Sequence, residues 1–382
     1  MTRNSFSHFC QGESHKADGK PCQDYCTSIY DPDLGLTLAI VSDGHGGDRY
    51  FRSQYGSQFA VECTIDAIKE FVRCVDKSIF SGCRYTGIAT KEDESIEKLG
   101  TTQAVALRQL ASSIIYHWRL KVKDHASSHQ EFSEWEMSHV DEKYRNDMLS
   151  HSINDEVPVK TYGCTLMAYA QTRDYWFAFQ IGDGKCIAFF EEKSLWGEPI
   201  PWDKNCFLNK TTSLCNSNSL DLFRFCYEGD GIFPLAIFLG SDGVDDSLGD
   251  NDNLADFYGD IFRILGETSA DKVEGELKVD LPELSKQGSK DDMSIACVFD
   301  PERLEKCVSL VAAWQLPKAR KLLIESYKKL GTLELQKCIL QYKTSQTKSE
   351  RKELQDVESV FQQARLQNAN LKKKYETLRN LI

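Results

Sequence analysis

Acids stand at the ends of apolar runs in this sequence. "LAIVSDGHGGD" (Leu38–Asp48) hands a buried-looking run straight to Asp43, and "LAIFLGSDGVDD" repeats the event at Asp242. Asp291 in "GSKDDMSI" immediately precedes a third run, and Asp24 in "GKPCQDYC" heads another extended stretch. Each of these carboxylates has a short stem on a rigid support. Four of them brought together would repel and hold protons unless a cation joined them. Ligation by oxygen alone selects Mg²⁺ or Mn²⁺, and two such ions would call for about this many carboxylates, with water filling the rest. Gly44, Gly243 and Gly288 beside them leave room for a backbone or a ligand. A lone Asp-Gly is more commonly a turn or a helix N-cap, and Asp31 and Asp250 are read that way. The repeated set, joined by His45, reads as a metal centre. "DNDNLADFYGDI" is no EF-hand, lacking the sixth-position Gly and the closing Glu.

The elements that must position these acids are strands. Candidates are residues 36–41, 162–170, 175–181, 185–190, 235–240 and 293–299, rich in β-branched and aromatic residues between Asp/Gly punctuation. "TRD" and "GDGK" read as tight hairpin connections, so the sheets are at least partly antiparallel. Tyr55, Phe59, Cys63, Ala67 and Phe71 repeat at helical spacing, as do Leu107, Leu110, Ile114, Trp118 and Val122. Residues 125–160 are polar, and their irregularly spaced His125, His129, His139 and His151 read as solvent-exposed. Residues 192–233 read as loops beside the core.

After Asp300-Pro301 the chain turns helical, which gives two domains, 1–300 and 301–382. A heptad runs through residues 354–382, with Leu354, Phe361, Asn368, Tyr375 and Ile382 at a and Val357, Ala364, Leu371 and Leu378 at d. Asn368 would fix register in a parallel two-stranded coil, making a homodimer. The other reading is an amphipathic helix that lies on its own domain or packs on residues 303–342.

The 382 residues carry a formal charge of −12, which argues against nucleic acid or an acidic membrane held by a generally basic surface. No run reaches the roughly 20 apolar residues of a membrane span, and the N-terminus has no signal-peptide core. The 14 cysteines are scattered, with no Cys-x-x-Cys, and read as buried free thiols suited to the cytoplasm. Cys297 and Arg303 match a thiol-phosphatase spacing, but "VFDPE" between them has no glycine and cannot cradle a phosphate.

In order along residues 1–300, "CQDY", "DGHGG", "GCTLMAYA", "IGDGK", "SDGVDD" and "KDDMSI" resemble the motifs of the type 2C (PPM) metal-dependent Ser/Thr protein phosphatases, most like the prokaryotic members. The resemblance implies an α+β fold, a β-sandwich of two antiparallel sheets flanked by helices, with metals in a cleft at one end. It implies that Asp43 bridges two metals, Mn²⁺ or Mg²⁺, with the Gly44 carbonyl as a further ligand. Asp242 and Asp291 would hold the first ion, Asp24 the second, and Asp183 a third, weaker one; Asp246 matches the last acid of its motif. A water between two ions would attack phosphorus in line, His45 would protonate the departing oxygen, and no phosphoenzyme would form. The chain departs from the family in several places. Lys16 and Lys20 stand where an Arg usually grips phosphate, and Lys20 reads equally as a solvated turn lysine. Gln23, Asp292 and Gly184 replace the usual Glu, Asn and Ser. The leading reading is a phosphoprotein phosphatase whose C-terminal helices dimerise or dock a partner such as a Ser/Thr kinase. The alternatives are a catalytically weak phosphatase-like scaffold and a small-phosphoester phosphatase.

Overall fold

A computed structural model describes residues 4–87, 101–129, 133–138, 140, 142, 157–191, 195–206, 210–342 and 347–382. The chain divides into two compact units, Met1–Leu304 and Glu305–Ile382.

The first unit holds two antiparallel sheets. One is five-stranded, in the order β1 (Ser5–Cys10), β11 (Met293–Phe299), β10 (Ala236–Gly240), β7 (Lys185–Phe189), β8 (Trp196–Gly197). The other is six-stranded, in the order β2 (Tyr25–Asp31), β3 (Leu36–Ser42), β5 (Leu166–Gln171), β6 (Trp176–Ile181), β9 (Arg224–Glu228), β4 (Arg84–Tyr85). Alternation sorts the side chains. In β3, Ala39 and Val41 join Ala296 and Val298 of the other sheet in the layer between them. Leu36, Leu38 and Ile40 point the other way, into the core with α1 (Ser53–Cys74) and α2 (Thr102–Ser128). The far face of the five-stranded sheet is covered in turn: Phe238 stacks on Tyr258 with centroids 4.6 Å apart, and Phe189 meets Phe262 at 5.4 Å. Both faces of each sheet are therefore buried, which is why the strands read as continuous apolar runs. The architecture is the expected α+β sandwich of two antiparallel sheets flanked by helices.

Antiparallel register explains why separate acids end up together. Where one strand of a pair ends, its neighbour begins. Tyr25 pairs with Ser42, so Asp24 and Asp43 leave the six-stranded sheet side by side. Gly240 pairs with both Ile295 and Lys185, so the segments carrying Asp242, Asp291 and Asp183 share an end of the five-stranded sheet.

Several local readings are corrected. "TRD" does connect the paired strands β5 and β6, but "GDGK" joins no hairpin: it carries the chain from β6 in one sheet to β7 in the other, with Gly182 at φ 118°. Residues 192–233 contain β9, paired with β6 and buried throughout, as well as β8 and a short helix, Ser219–Leu222. Its Phe223, Phe225 and Tyr227 alternate as a strand should, inside a segment whose Pro, Asn and Ser content hid them. Of the histidines, His125 is half-buried, its Nδ1 2.7 Å from the Tyr162 hydroxyl and its ring stacked on exposed His129; His139 and His151 lie outside the described residues. Asp250 caps a helix by accepting from the Asn253 amide at 2.7 Å, and Asp31 accepts from the amides of Asp33 and Leu34 in a turn, as read. Among the described residues the cysteines are free thiols, and no helix is long and apolar enough to cross a membrane.

The second unit is a helical hairpin. The helix Pro301–Gln341 runs into it, and Lys348–Asn380 returns. Leu378 packs on Ala312 and Ala319, the Asn368 amide donates to Ser326 Oγ at 3.2 Å, and Lys337 pairs with Glu358 at 2.7 Å. The two helices are thus antiparallel, and the heptad seam is occupied within the chain. Asn368 sets register against Ser326 of the preceding helix, where a parallel coil would have met another Asn368. At its end the seam drifts: Leu381 packs and Ile382 is exposed.

Candidate metal centre

Asp43 is the first residue past β3. Its amide donates to Thr165 Oγ1 (3.0 Å) and its carbonyl accepts from the Thr165 amide (2.8 Å), and Gly44 continues into a bridge with Cys164. The Thr of "GCT" therefore fixes the strand end that presents Asp43. Asp242 opens the helix Asp242–Leu248 directly after β10. The serines that precede the two acids are structural. Ser42 Oγ donates to the Thr165 carbonyl (2.6 Å), while Ser241 Oγ accepts from the Ser294 amide (2.9 Å). Ser294 Oγ in turn donates to Asp24 Oδ2 at 2.7 Å.

Gly44 and Gly243 admit backbone rather than ligand, while Gly288 makes room for the Ser247 side chain. A Cβ on Gly44 would lie 2.5 Å from the Gln23 carbonyl oxygen, and one on Gly243 would collide with the carbonyl of Asp292. Gly44 thus lets the Asp43 loop sit against the Asp24 loop, and Gly243 lets the Asp242 helix sit against the segment of Asp291.

The electrostatics register the convergence. Burial and then Asp242 and Asp24 push the Asp43 carboxyl well above the usual carboxylate range, and its carboxyl shares a hydrogen bond with Asp242. Burial, then Asp292, does the same to Asp24. Asp242 is pushed up to about 7 by burial, with Asp183, Asp291 and Asp246 adding to the effect. Asp183, Asp246 and Asp291 are raised as well, each chiefly by burial. All six acids read from sequence thus act on one another at one end of the sandwich.

His45 stands apart from them. Its amide donates to Gly163 (3.1 Å), its ring packs edge-on to Tyr50 with centroids 4.8 Å apart, and burial alone lowers it to about 4. Lys20 Nζ donates to the Gly46 carbonyl at 3.2 Å, so it lies over the "DGHGG" loop.

Three residues were missed from the sequence. Asp245 is pushed up to about 8 by burial and by Asp242. Its place three residues after Asp242 on a helix, where i and i+3 share a face, was a usable signal. Arg224 is buried and donates to the carbonyls of Gly182 and Pro201, holding the turn that carries Asp183. His15 is also buried, with Nδ1 2.9 Å from Asp292 Oδ2 and Nε2 4.0 Å from Asp291 Oδ1. Asp292 also accepts from the amides of Gly12 (2.6 Å) and Gln23 (2.5 Å). Burial pushes the Asp292 carboxyl up, but these three partners outweigh it and hold it below its usual range. Burial likewise pushes His15 down, and Asp292 outweighs that. An ion pair thus stands where one neutral amide would serve, and it ties the Asp291–Asp292 segment to the loops before β2.

His15→Ala should therefore lower stability by roughly 3 kcal/mol, the scale of breaking a buried pair. The His15 contribution is complete below the unfolded histidine value of about 6.5 and is lost as pH rises through the folded value. Urea unfolding of both proteins should show the largest gap on the acid side. A gap within the roughly 0.5 kcal/mol of a surface change would show that the pair holds nothing.

Among the described residues, no three His, Cys, Asp or Glu side chains already stand as a closed ligand set. The donor chemistry nonetheless fits hard divalent cations. The donors are all oxygens, the acids are raised by burial and by one another, and Asp183 Oδ1 and Asp245 Oδ1 are buried without a hydrogen-bond partner. Asp242, lying close by, raises Asp43's hold on a proton, and a cation between them would relieve that repulsion.

A family model described as protein phosphatase 2C matches residues 11–278. No curated protein matches the chain. Among solved structures, PppA of Pseudomonas aeruginosa, a regulatory component of its T6SS, is 16% identical over 78% of this chain and 98% of its own, with TM-score 0.42. The serine/threonine phosphatase of S. agalactiae is 14% identical over 77% and 98%, with TM-score 0.42. The catalytic domain of the phosphatase PstP, in complex with two manganese ions, is 12% identical over 78% and 98%, with TM-score 0.41.

Proposed function

The chain belongs to the protein phosphatase 2C family, and from that premise we propose that it removes phosphate from phosphoserine and phosphothreonine in proteins by direct attack of water, without a phosphoenzyme, in a centre that takes two Mn²⁺ or Mg²⁺ ions. The observation that carries this reading is the buried Asp43–Asp242 contact, with Asp24, Asp291 and Asp183 acting on the same pair. Isolated buried carboxylates of this kind are unfavourable, and a cation site gives them a use.

Asp43, Asp242, Asp291 and Asp24 would hold the two ions with the Gly44 carbonyl, and Asp183 a third. When bound, such ions lower the pKa of water toward neutrality and offset charge on the phosphoryl oxygens. The residues do the rest. Ser294 and Ser241 orient the Asp24 carboxylate by donating to it. Lys20 offers a point charge at the "DGHGG" loop for the phosphate. His45, lowered to about 4, is neutral near pH 7 in the free protein. It can give a proton to the departing oxygen only after an entering phosphate dianion has raised its affinity for one. Catalysis resides in residues 1–300, and the free thiols suit a reducing cytoplasm.

The test is hydrolysis of a phosphothreonine peptide by metal-stripped protein, with Mn²⁺ or Mg²⁺ added back, beside a small aryl phosphate. Metal-dependent turnover that favours the peptide is the expected result. Turnover of the small ester alone would move the substrate to small phosphoesters. No turnover by folded, metal-loaded protein would overturn the enzymatic reading.

A further inference from the structure

The net charge of −12 conceals a division: within residues 301–382, Lys and Arg outnumber Asp and Glu by almost two to one. The helix Pro301–Gln341 is also apolar on two faces. One takes the returning helix through Ala312 and Ala319. The other carries a second stripe with a seven-residue step, Leu310, Pro317, Ile324, Gly331 and Cys338, flanked by Leu335, Ile339 and Tyr342. Along this stripe Leu310 is 42% exposed, Ile324 46%, Leu335 62% and Ile339 56%. A continuous apolar stripe on a helix is normally covered by a partner element. Around Pro317 the stripe hollows into an open groove of about 470 Å³, lined by apolar Leu316, Pro317 and Ile324 and by three cations, Arg320, Lys321 and Lys328, against one anion, Glu325.

We propose that this second face docks an acidic amphipathic α-helix of a partner protein, which completes a three-helix bundle with the hairpin. The seven-residue step is the spacing of a helix–helix seam, and small residues such as Gly331 let a second helix approach. The flanking charges choose the partner. Arg320 and Lys321 lie one turn before Ile324, and Lys328 and Lys329 one turn after it. A second copy of the stripe paired antiparallel about Ile324 sets these pairs against each other, and a parallel copy sets each against itself. Both arrangements oppose like charges, whereas glutamates at the edges of a foreign helix would meet cations on both turns.

The probe is a fluorescent synthetic helix with leucine at its a and d positions and glutamate at e and g, titrated with the full chain and followed by anisotropy. It should bind, more weakly as salt rises, and a matching peptide with lysine at e and g should not. Ile324→Glu and Leu335→Glu, both exposed, should each weaken binding by roughly tenfold or more while leaving hydrolysis unchanged. Failure of the glutamate helix to bind, or binding by both variants as tight as by the unaltered chain, would overturn the proposal. So would self-association in sedimentation that these variants abolish, which would make the occupant a second copy. Variant-sensitive binding to phosphatidylserine vesicles without peptide binding would instead make it a membrane surface.

Discussion

Replacing Asp43 with asparagine is expected to reduce metal-dependent hydrolysis by at least about a thousandfold, the upper range for removing one preorganised charged group. In the same variant the metal-stripped protein should become harder to melt. The two effects have one cause. Asp43 is buried against Asp242 and Asp24, and its carboxyl is held well above the usual range. Above the unfolded value of about 4 the folded protein therefore holds on to a proton there more firmly than the unfolded chain does. Folding above that value must take up protons, and the penalty fades as pH falls toward 4. Asparagine has nothing to take up, and its amide can donate to Asp242 as the protonated acid does. With Mn²⁺ present the order should reverse, because the wild-type chain alone gains the binding energy of the ions. Melting curves of both proteins in chelator and in Mn²⁺ read this directly. Full turnover by Asp43→Asn would remove Asp43 from the centre, and an unchanged order of melting would remove the cation from its explanation.

How much of this was legible differs by feature. The acids were readable because each follows or precedes an apolar strand, and strand ends in an antiparallel sheet gather at one end of it. What sequence could not supply was the pairing that decides which ends meet. Hence "GDGK" resembled a hairpin although it crosses between sheets, since a tight Gly-rich turn looks the same in either use. β9 was hidden because its five buried residues sit in a polar segment, and burial comes from β6 beside it. His15 gave no periodic signal. Its meaning depends on Asp292, far along the chain, which reaches it only because β11 lies next to β1. In the C-terminal unit the heptad spacing marked an apolar stripe, but a stripe does not name its partner, and the net charge of the whole chain masked the basic character of this part.

In chelator, the wild-type protein should show its highest melting temperature near pH 5 and lose stability on both sides for different reasons. On the acid side Asp292, Glu62 and Glu136 have carboxyls held below their usual range against the effect of burial, mainly by His15, Lys121 and Arg52. Their contributions are full above the unfolded values of about 4 and are lost as pH falls. On the alkaline side the acid cluster works in reverse. Asp242 is raised to about 7 and Asp245 to about 8, so each holds a proton through a window in which the unfolded chain has none. By linkage, stability falls with rising pH across that window, from about 4 up to each folded value, and then levels off. Asp24 and Asp43, raised in the same direction, add to the fall. Divalent cations compete with those same protons, so Mn²⁺ should flatten the alkaline limb, and its own affinity should climb with pH until the cluster is fully ionised. Thermal scans from pH 4 to pH 9, with chelator and with Mn²⁺, test the whole scheme at once. A chelated protein whose melting temperature rises from pH 5 to pH 8 would show that the carboxylates are not the strained element. An alkaline limb that Mn²⁺ leaves untouched would show that they are strained for something other than a metal.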